Sequence, residues 1–159
     1  DWISINDRGG CVIYGRSDST INRNGVRMGT SEIYRAVESI EEVLEGMVVD
    51  LEFLGRDSYM PMFVVLKEGV DLTDDLKEKI KNKIKNAASP RHVPNEIYQI
   101  KEIPKTINGK KMEVPIRKIL LGYPVEKAIN PDSMSNPEIL PYFIELSKKL
   151  NQEKVGDKK

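Results

Sequence analysis

The segment Ile103-Pro104-Lys105-Thr106-Ile107-Asn108-Gly109-Lys110-Lys111 sets an Asn-Gly pair directly before two lysines. Asn-Gly favours a tight turn with positive φ, so the lysines should ride on the tip of an ordered loop. A compact cation on a long stem can reach a carboxylate or phosphate held by another part of a protein. Taken alone, the segment is better read as a solvated hairpin tip. Two further stretches also set arginine beside glycine: Gly15-Arg16-Ser17-Asp18 and Asn24-Gly25-Val26-Arg27. Other chemistry is sparse. With one cysteine and one histidine, the chain has no Cys/His metal cluster. It has no Walker loop and no Gly-x-Ser-x-Gly elbow. His92, in Pro90-Arg91-His92-Val93-Pro94, reads as a structural or exposed loop histidine. Glycine-supported loops bearing Arg and Lys, without a nucleophile or base, point to electrostatic stabilisation of an anion held elsewhere.

The 159 residues suffice for one domain with a real core. The 25 basic and 25 acidic residues cancel, so no global field favours nucleic acid or a membrane surface. A 39% hydrophobic and 31% charged composition fits a globular chain. No apolar run approaches the ~20 residues of a membrane-spanning helix. The lone Cys11 cannot form an internal disulfide, which suggests a reducing, cytoplasmic setting. The abrupt start at Asp1-Trp2-Ile3-Ser4, without Met or a signal peptide, suggests a piece of something longer.

The elements that must position these loops are legible in the patterning. Residues 10–16 read as a strand, and residues 20–27 as a hairpin about Asn24-Gly25. A helix opens at Thr30-Ser31-Glu32, with Thr30 or Ser31 as N-cap and Ile33, Val37 and Ile40 at helical spacing. Gly46 is its expected stop. Strands follow over 47–54 and 60–66, joined by a turn at 55–58, with Pro61 at a strand start or edge. Thr73-Asp74-Asp75 caps a helix carrying Leu76, Ile80, Ile84 and Ala87 on one face, ending by Ser89 before Pro90. A strand over 97–100 leads to the lysine loop, and a short helix over 114–121 has Pro115 in its first turn. Residues 123–136, rich in Pro, Asn, Ser and Asp, read as a surface linker. From Asn136-Pro137-Glu138 a last amphipathic helix carries Leu140, Phe143, Ile144, Leu146 and Leu150. The expected fold is α+β: a small domain with an N-terminal β-hairpin, a three-stranded sheet covered by helices, and a C-terminal helical extension.

Gly15-Arg16-Ser17-Asp18, with Asn24-Gly25-Val26-Arg27 and Ser31-Glu32-Ile33, resembles the hinge and following core motif of the adenylate-forming acyl-CoA synthetases. Pro104-Lys105-Thr106-Ile107-Asn108-Gly109-Lys110 resembles the Pro-Lys-Thr-x-x-Gly-Lys catalytic motif of the same family. Both stand in the family's order, and the match covers roughly residues 1–121. The resemblance implies a two-step ligase. ATP and a carboxylate give an acyl-adenylate and pyrophosphate, and CoA then displaces AMP to give the thioester. It also implies a division of the chain. Residues 1–16 would end a large N-terminal domain, 17–122 would form the mobile C-terminal domain, and 123–159 would be an extension. That large domain would be the partner of this one, holding the acid pocket and most of the ATP site with its Mg2+. The fragment alone would be inactive.

Residue roles follow from the resemblance. Lys110, directly after glycine, takes the adenylation role in preference to Lys111. It would neutralise the attacking carboxylate and the charge developing at the α-phosphate. Asp18 matches the hinge position, where one backbone site absorbs a large dihedral change. Arg16 would contact AMP near the hinge, Arg27 would approach the ATP phosphates, and Asp1 matches the ribose-binding carboxylate. Gly25 and Asn24 would border the pantetheine arm of CoA. Lys85 and Arg91 are weaker candidates for its nucleotide phosphates, since a solvated basic helix face accounts for them better. The chain departs from the family at Glu113, where an arginine commonly follows the lysine by three. Two other readings stay open: an adenylation domain that loads a carrier protein, and a non-catalytic α+β interaction module.

Overall fold

In the computed structural model, residues 2–15, 20–23, 25–52 and 58–156 are described. Asp1, Arg16, Asp18 and Asn24, and most of the expected turn at 55–58, lie outside the described residues.

The organising element is a three-stranded sheet in the order β5-β6-β7, formed by Val43–Val48, Pro61–Leu66 and Glu96–Gln99. β5 and β6 run antiparallel, and β6 and β7 parallel. The parallel pair needs a crossover, supplied by the helix α2, Asp74–Ala87. The central strand reads Pro-Met-Phe-Val-Val-Leu, apolar throughout, because helices cover both of its faces. Its side chains alternate between two cores. Met62, Val64 and Leu66 join Ile33, Val37, Ile80 and Ile84 on the face covered by α1 (Thr30–Glu38) and α2. Phe63 points the other way, into a core with Ile116, Leu120 and Phe143 from α3 (Glu113–Leu120) and α5 (Leu140–Gly156). Pro61 stands first in its strand, where the missing N–H does least harm.

Two hairpins precede this body: β1 (Trp2–Ile5) with β2 (Cys11–Gly15), and β3 (Ile21–Arg23) with β4 (Val26–Met28). The second is the hairpin expected at Asn24-Gly25, and Gly25 has φ +79°. The first was expected only as a single strand.

Several boundaries differ from the sequence reading for identifiable reasons. Gly46 does not stop α1; it lies inside β5. A Cβ there would stand 3.2 Å from Val37 Cγ1, so the glycine lets α1 approach the strand closely. β5 accordingly begins four residues earlier than expected and ends at Val48. The N-cap of α1 is Gly29, without a side-chain cap, and Thr30 is buried in the first turn. The α2 cap is as expected: Thr73 Oγ1 accepts from Leu76 N at 3.2 Å.

The largest difference concerns residues 123–136. They are not a surface linker. They include α4 (Val125–Ala128), and Ile129, Met134 and Asn136 are each 6% exposed. Hydrophobic residues spaced singly among Pro, Asn and Ser carry no period, so composition hid their burial. Beyond them, Phe143 is fully buried, its ring centroid 5.0 Å from that of Phe63. The extension thus supplies part of the cover of one sheet face. Phe143→Ala should therefore cost about 3–5 kcal/mol, whereas Thr73→Ala should cost about 1 kcal/mol. Denaturant titration of the two variants measures the difference.

Candidate functional site

The lysine loop is a tight hairpin built on Thr106. Lys105 and Lys111 face each other in an antiparallel bridge. Within it, Thr106 N donates to Lys110 O at 2.9 Å, and Gly109 N to Thr106 O at 2.8 Å. The threonine hydroxyl accepts from Lys110 N at 3.1 Å. Thr106 therefore closes the turn with both backbone groups and its side chain, a role suited to its short hydroxyl. Gly109, at φ +77°, supplies the left-handed residue that the Asn-Gly pair predicts.

Three lysines belong to this loop, and the structure separates them. Lys105 Nζ pairs with Glu45 at 2.6 Å. Lys111 Nζ pairs with Glu38 at 2.6 Å, donates to Gly46 O at 2.8 Å, and lies 4.0 Å over the Tyr34 ring. Both are thus tied to α1 and β5. Lys110 is exposed at the tip, and its side chain has no ion pair among the described residues. The two bound lysines hold the roots of the loop and leave Lys110 as its free cation.

Glu113, the departure from the family pattern, has a structural task. It is buried in the first turn of α3, where a carboxylate suits the helix N-terminus. Tyr34 Oη donates to it at 3.0 Å and accepts from Val48 N at 3.2 Å. Burial, followed by the charge of Glu113, pushes the Tyr34 phenol well above the ordinary tyrosine range. Tyr34 therefore remains a neutral donor, with its ring beneath Lys111 and its hydroxyl on Glu113. None of Thr106, Tyr34 and Glu38 was marked as a site residue from sequence. Only the helical spacing of Tyr34 and Glu38, four apart on α1, hinted that they share a face.

The other candidates gather elsewhere. Arg27 is exposed on β4, three residues before α1 begins, whereas the lysine loop docks at Glu38, where α1 ends. Arg27 lines a groove of about 470 Å³ with Val26, Met28, Ser31, Glu32 and His92. An unforeseen residue holds this region together. The Arg23 guanidinium donates to Arg91 O at 3.0 Å, Val93 O at 2.6 Å and Asn95 Oδ1 at 3.0 Å, clamping the hairpin onto residues 91–95. Gly25, Arg27 and Arg91 thereby sit around one end of the domain. Lys85 is exposed in the last turn of α2, near the same end in sequence. His92 is partly buried; its Nδ1 lies 2.8 Å from Ser89 Oγ and its Nε2 3.9 Å from Glu32. Desolvation lowers its pKa despite the opposing charge of Glu32, so the neutral ring is favoured. Among the described residues no group of three His, Cys, Asp or Glu is arranged to hold a metal. None of their helices is long and apolar enough to cross a membrane.

Residues 32–110 match the family described as AMP-binding enzyme C-terminal domain. This stretch belongs to that family. The match ends on Lys110 itself, so most of α1, the sheet, α2 and the loop up to Lys110 are family structure, and the extension lies beyond it. The chain is 42% identical over 91% of its length to acetoacetyl-CoA synthetase of Caenorhabditis elegans. It is 42% identical over 90% to acetoacetyl-coenzyme A synthetase of Rhizobium meliloti. Each match covers 21% of the relative, so the chain spans about a fifth of the proteins it resembles. Among solved structures, acetoacetyl-CoA synthetase from Streptomyces lividans superposes with a TM-score of 0.82. That pair is 45% identical, covering 94% of this chain and 22% of the other.

The unequal environments of the two adjacent lysines can be checked by stability. Lys111→Met should destabilise the domain by about 1–3 kcal/mol, through loss of the cation over Tyr34 and of its bonds to Glu38 and Gly46 O. Lys110→Met, at an exposed tip, should stay within about 0.5 kcal/mol of the parent. Urea denaturation of both variants makes the comparison.

Proposed function

We propose that this chain is the C-terminal domain of an AMP-forming acid–CoA ligase that converts acetoacetate, ATP and CoA to acetoacetyl-CoA, AMP and pyrophosphate. The observation that carries the reading is the lone free cation, Lys110, on a loop whose flanking lysines are both neutralised. A long, exposed ammonium beside two tied ones is positioned to enter another domain's anionic site. In that site Lys110 would stabilise the negative charge shared by carboxylate and α-phosphate. The names of the relatives, matched along the extension as well as the common domain, favour acetoacetate over other acids.

A large N-terminal domain of the same polypeptide would hold the acid and most of the ATP, with Mg2+ on the phosphates. The exposed Ile3, Ile5, Val12 and Ile13 of the first hairpin fit a surface meant to lie against such a domain. Asp18 would be the hinge. Ile21, three residues later, is 3% exposed, so the chain is already fastened to this domain there, which supports a hinge upstream of it. Arg16 and Asp1 would meet the nucleotide near that hinge. Arg27 and Lys110 lie toward opposite ends of α1, so the two would serve in different orientations. With Lys110 inward the site makes the adenylate. With the Gly25–Arg27 hairpin inward, Arg27 would meet the nucleotide phosphate. Asn24 and Gly25 would then flank the pantetheine arm, and Lys85 and Arg91 the CoA phosphates. The setting would be cytosolic, in keeping with the exposed free thiol of Cys11.

In the full-length enzyme, Lys110→Ala should abolish acetoacetate-dependent ATP–pyrophosphate exchange while preserving thioester formation from supplied acyl-adenylate. Exchange at the parent rate would overturn the assignment. Arg27→Ala should show the opposite bias, slowing thioester formation by roughly 10- to 100-fold through loss of a charge-assisted phosphate contact. Stopped-flow assay of the two half-reactions separates them.

A further inference from the structure

The extension does more than cover the sheet: it grips the first root of the lysine loop. Thr106 and Met134 form an antiparallel bridge. Ile107 N donates to Ser133 O, and Ser135 N to Lys105 O, both at 3.0 Å. Residues 133–135 thus act as a strand-like partner for residues 105–107. The next residue, Asn136, is 6% exposed and spends its whole amide on the same root. Its Oδ1 accepts from Lys105 N at 3.1 Å. Its Nδ2 donates to Ile103 O at 2.9 Å and to Glu102 Oε2 at 3.1 Å. Met134 and Ile129, both in the core, fix this strip in place.

We propose that Asn136 is a positioning residue for Lys110, and that residues 133–136 brace the catalytic loop against pivoting. This rests on the adenylation role proposed above for Lys110. The physical need is plain. Lys105 and Lys111 hold the roots only through the ends of long, flexible side chains, on Glu45 and Glu38. A hairpin whose backbone is not itself fastened can swing, and its tip carries the cation several residues away. Fastening residues 102–107 to the extension removes that freedom, so the ammonium arrives at a single point when the domain closes. Reacting groups misplaced by about 1 Å can lose about 100-fold in rate. Asparagine suits the task because one planar amide accepts one backbone hydrogen and supplies two donors, all in a buried position.

The test uses the full-length enzyme and the ratio of acetoacetate-dependent pyrophosphate exchange to thioester formation from supplied acyl-adenylate. Asn136→Ala should lower that ratio roughly 10- to 100-fold. Glu102→Ala removes one exposed acceptor and should lower it roughly two- to tenfold. Leu146→Ala weakens the same core without touching the brace, and should leave the ratio unchanged. Amide exchange at residues 105–107 should quicken in Asn136→Ala and not in Leu146→Ala. An unchanged ratio in Asn136→Ala, or an equal fall in Leu146→Ala, overturns the proposal. If Asn136→Ala does not fold, an unchanged ratio in Glu102→Ala overturns it. If Lys110→Ala keeps full exchange, the adenylation role falls instead, and amide exchange at 105–107 alone decides whether the brace exists.

Discussion

The fastening of one seven-residue loop, Lys105 to Lys111, to two sides of a sheet is the constraint on which the rest of this domain depends. Lys111 ties the end of the loop to Glu38, Gly46 O and the Tyr34 ring. Asn136 ties its beginning to the extension. Neither contact is local in sequence, so neither could form without the sheet that brings α1, β5 and the extension together. Phe63, midway along the central strand, is the pivot of that arrangement. It packs on Tyr98 and Phe143 at once, joining the strand before the loop to the helix after the brace. Stability and site geometry are therefore one problem here.

The domain also keeps its charged loops apart. The lysine hairpin docks where α1 ends, and Arg27 stands before α1 begins. About 12 Å of helix separates them, at 1.5 Å per residue. A single-orientation enzyme would have reason to converge its cations on one point. A domain used in two orientations has reason to keep them on separate faces, each complete in itself. Arg23 completes the hairpin face by closing it onto residues 91–95, and Lys105 and Lys111 complete the other. On this view the clamping residues are as necessary to the two-step scheme as the residues that meet substrate.

Much of this was legible in the chain. The Asn-Gly pairs marked both turns, each with its glycine at positive φ, because positive φ has few sequence solutions. The three-stranded sheet covered by helices was legible because the apolar periods of the two helices are unambiguous, whereas the strand order was not. The choice of Lys110 over Lys111 rests on the motif, and the ion pairs of Lys105 and Lys111 are the structural observation that favours it. Gly46 misled because glycine marks both helix ends and close helix–strand contact, and only the position of Val37 distinguishes them. Residues 123–136 misled because three buried side chains among polar neighbours have no period to detect. Arg23 and Asn136 were invisible for a shared reason: each acts on backbone carbonyls or amides some 30 to 70 residues distant, as Asn136 with Lys105 and Arg23 with Val93. Backbone partners leave no complementary residue type in the sequence. The site roles of Lys110, Arg27 and Gly25, like those of Asp18, Arg16, Asp1 and Asn24, are assignments by motif.

The central claim is that one domain presents two separate faces in turn. It is tested most directly by amide hydrogen exchange on the full-length enzyme in two states. One holds acetoacetate with a non-hydrolysable ATP analogue, and the other holds AMP with CoA. The account predicts protection of residues 106–111 in the first state only, and of residues 25–32 and 85–92 in the second only. Protection of the same face in both states would contradict it.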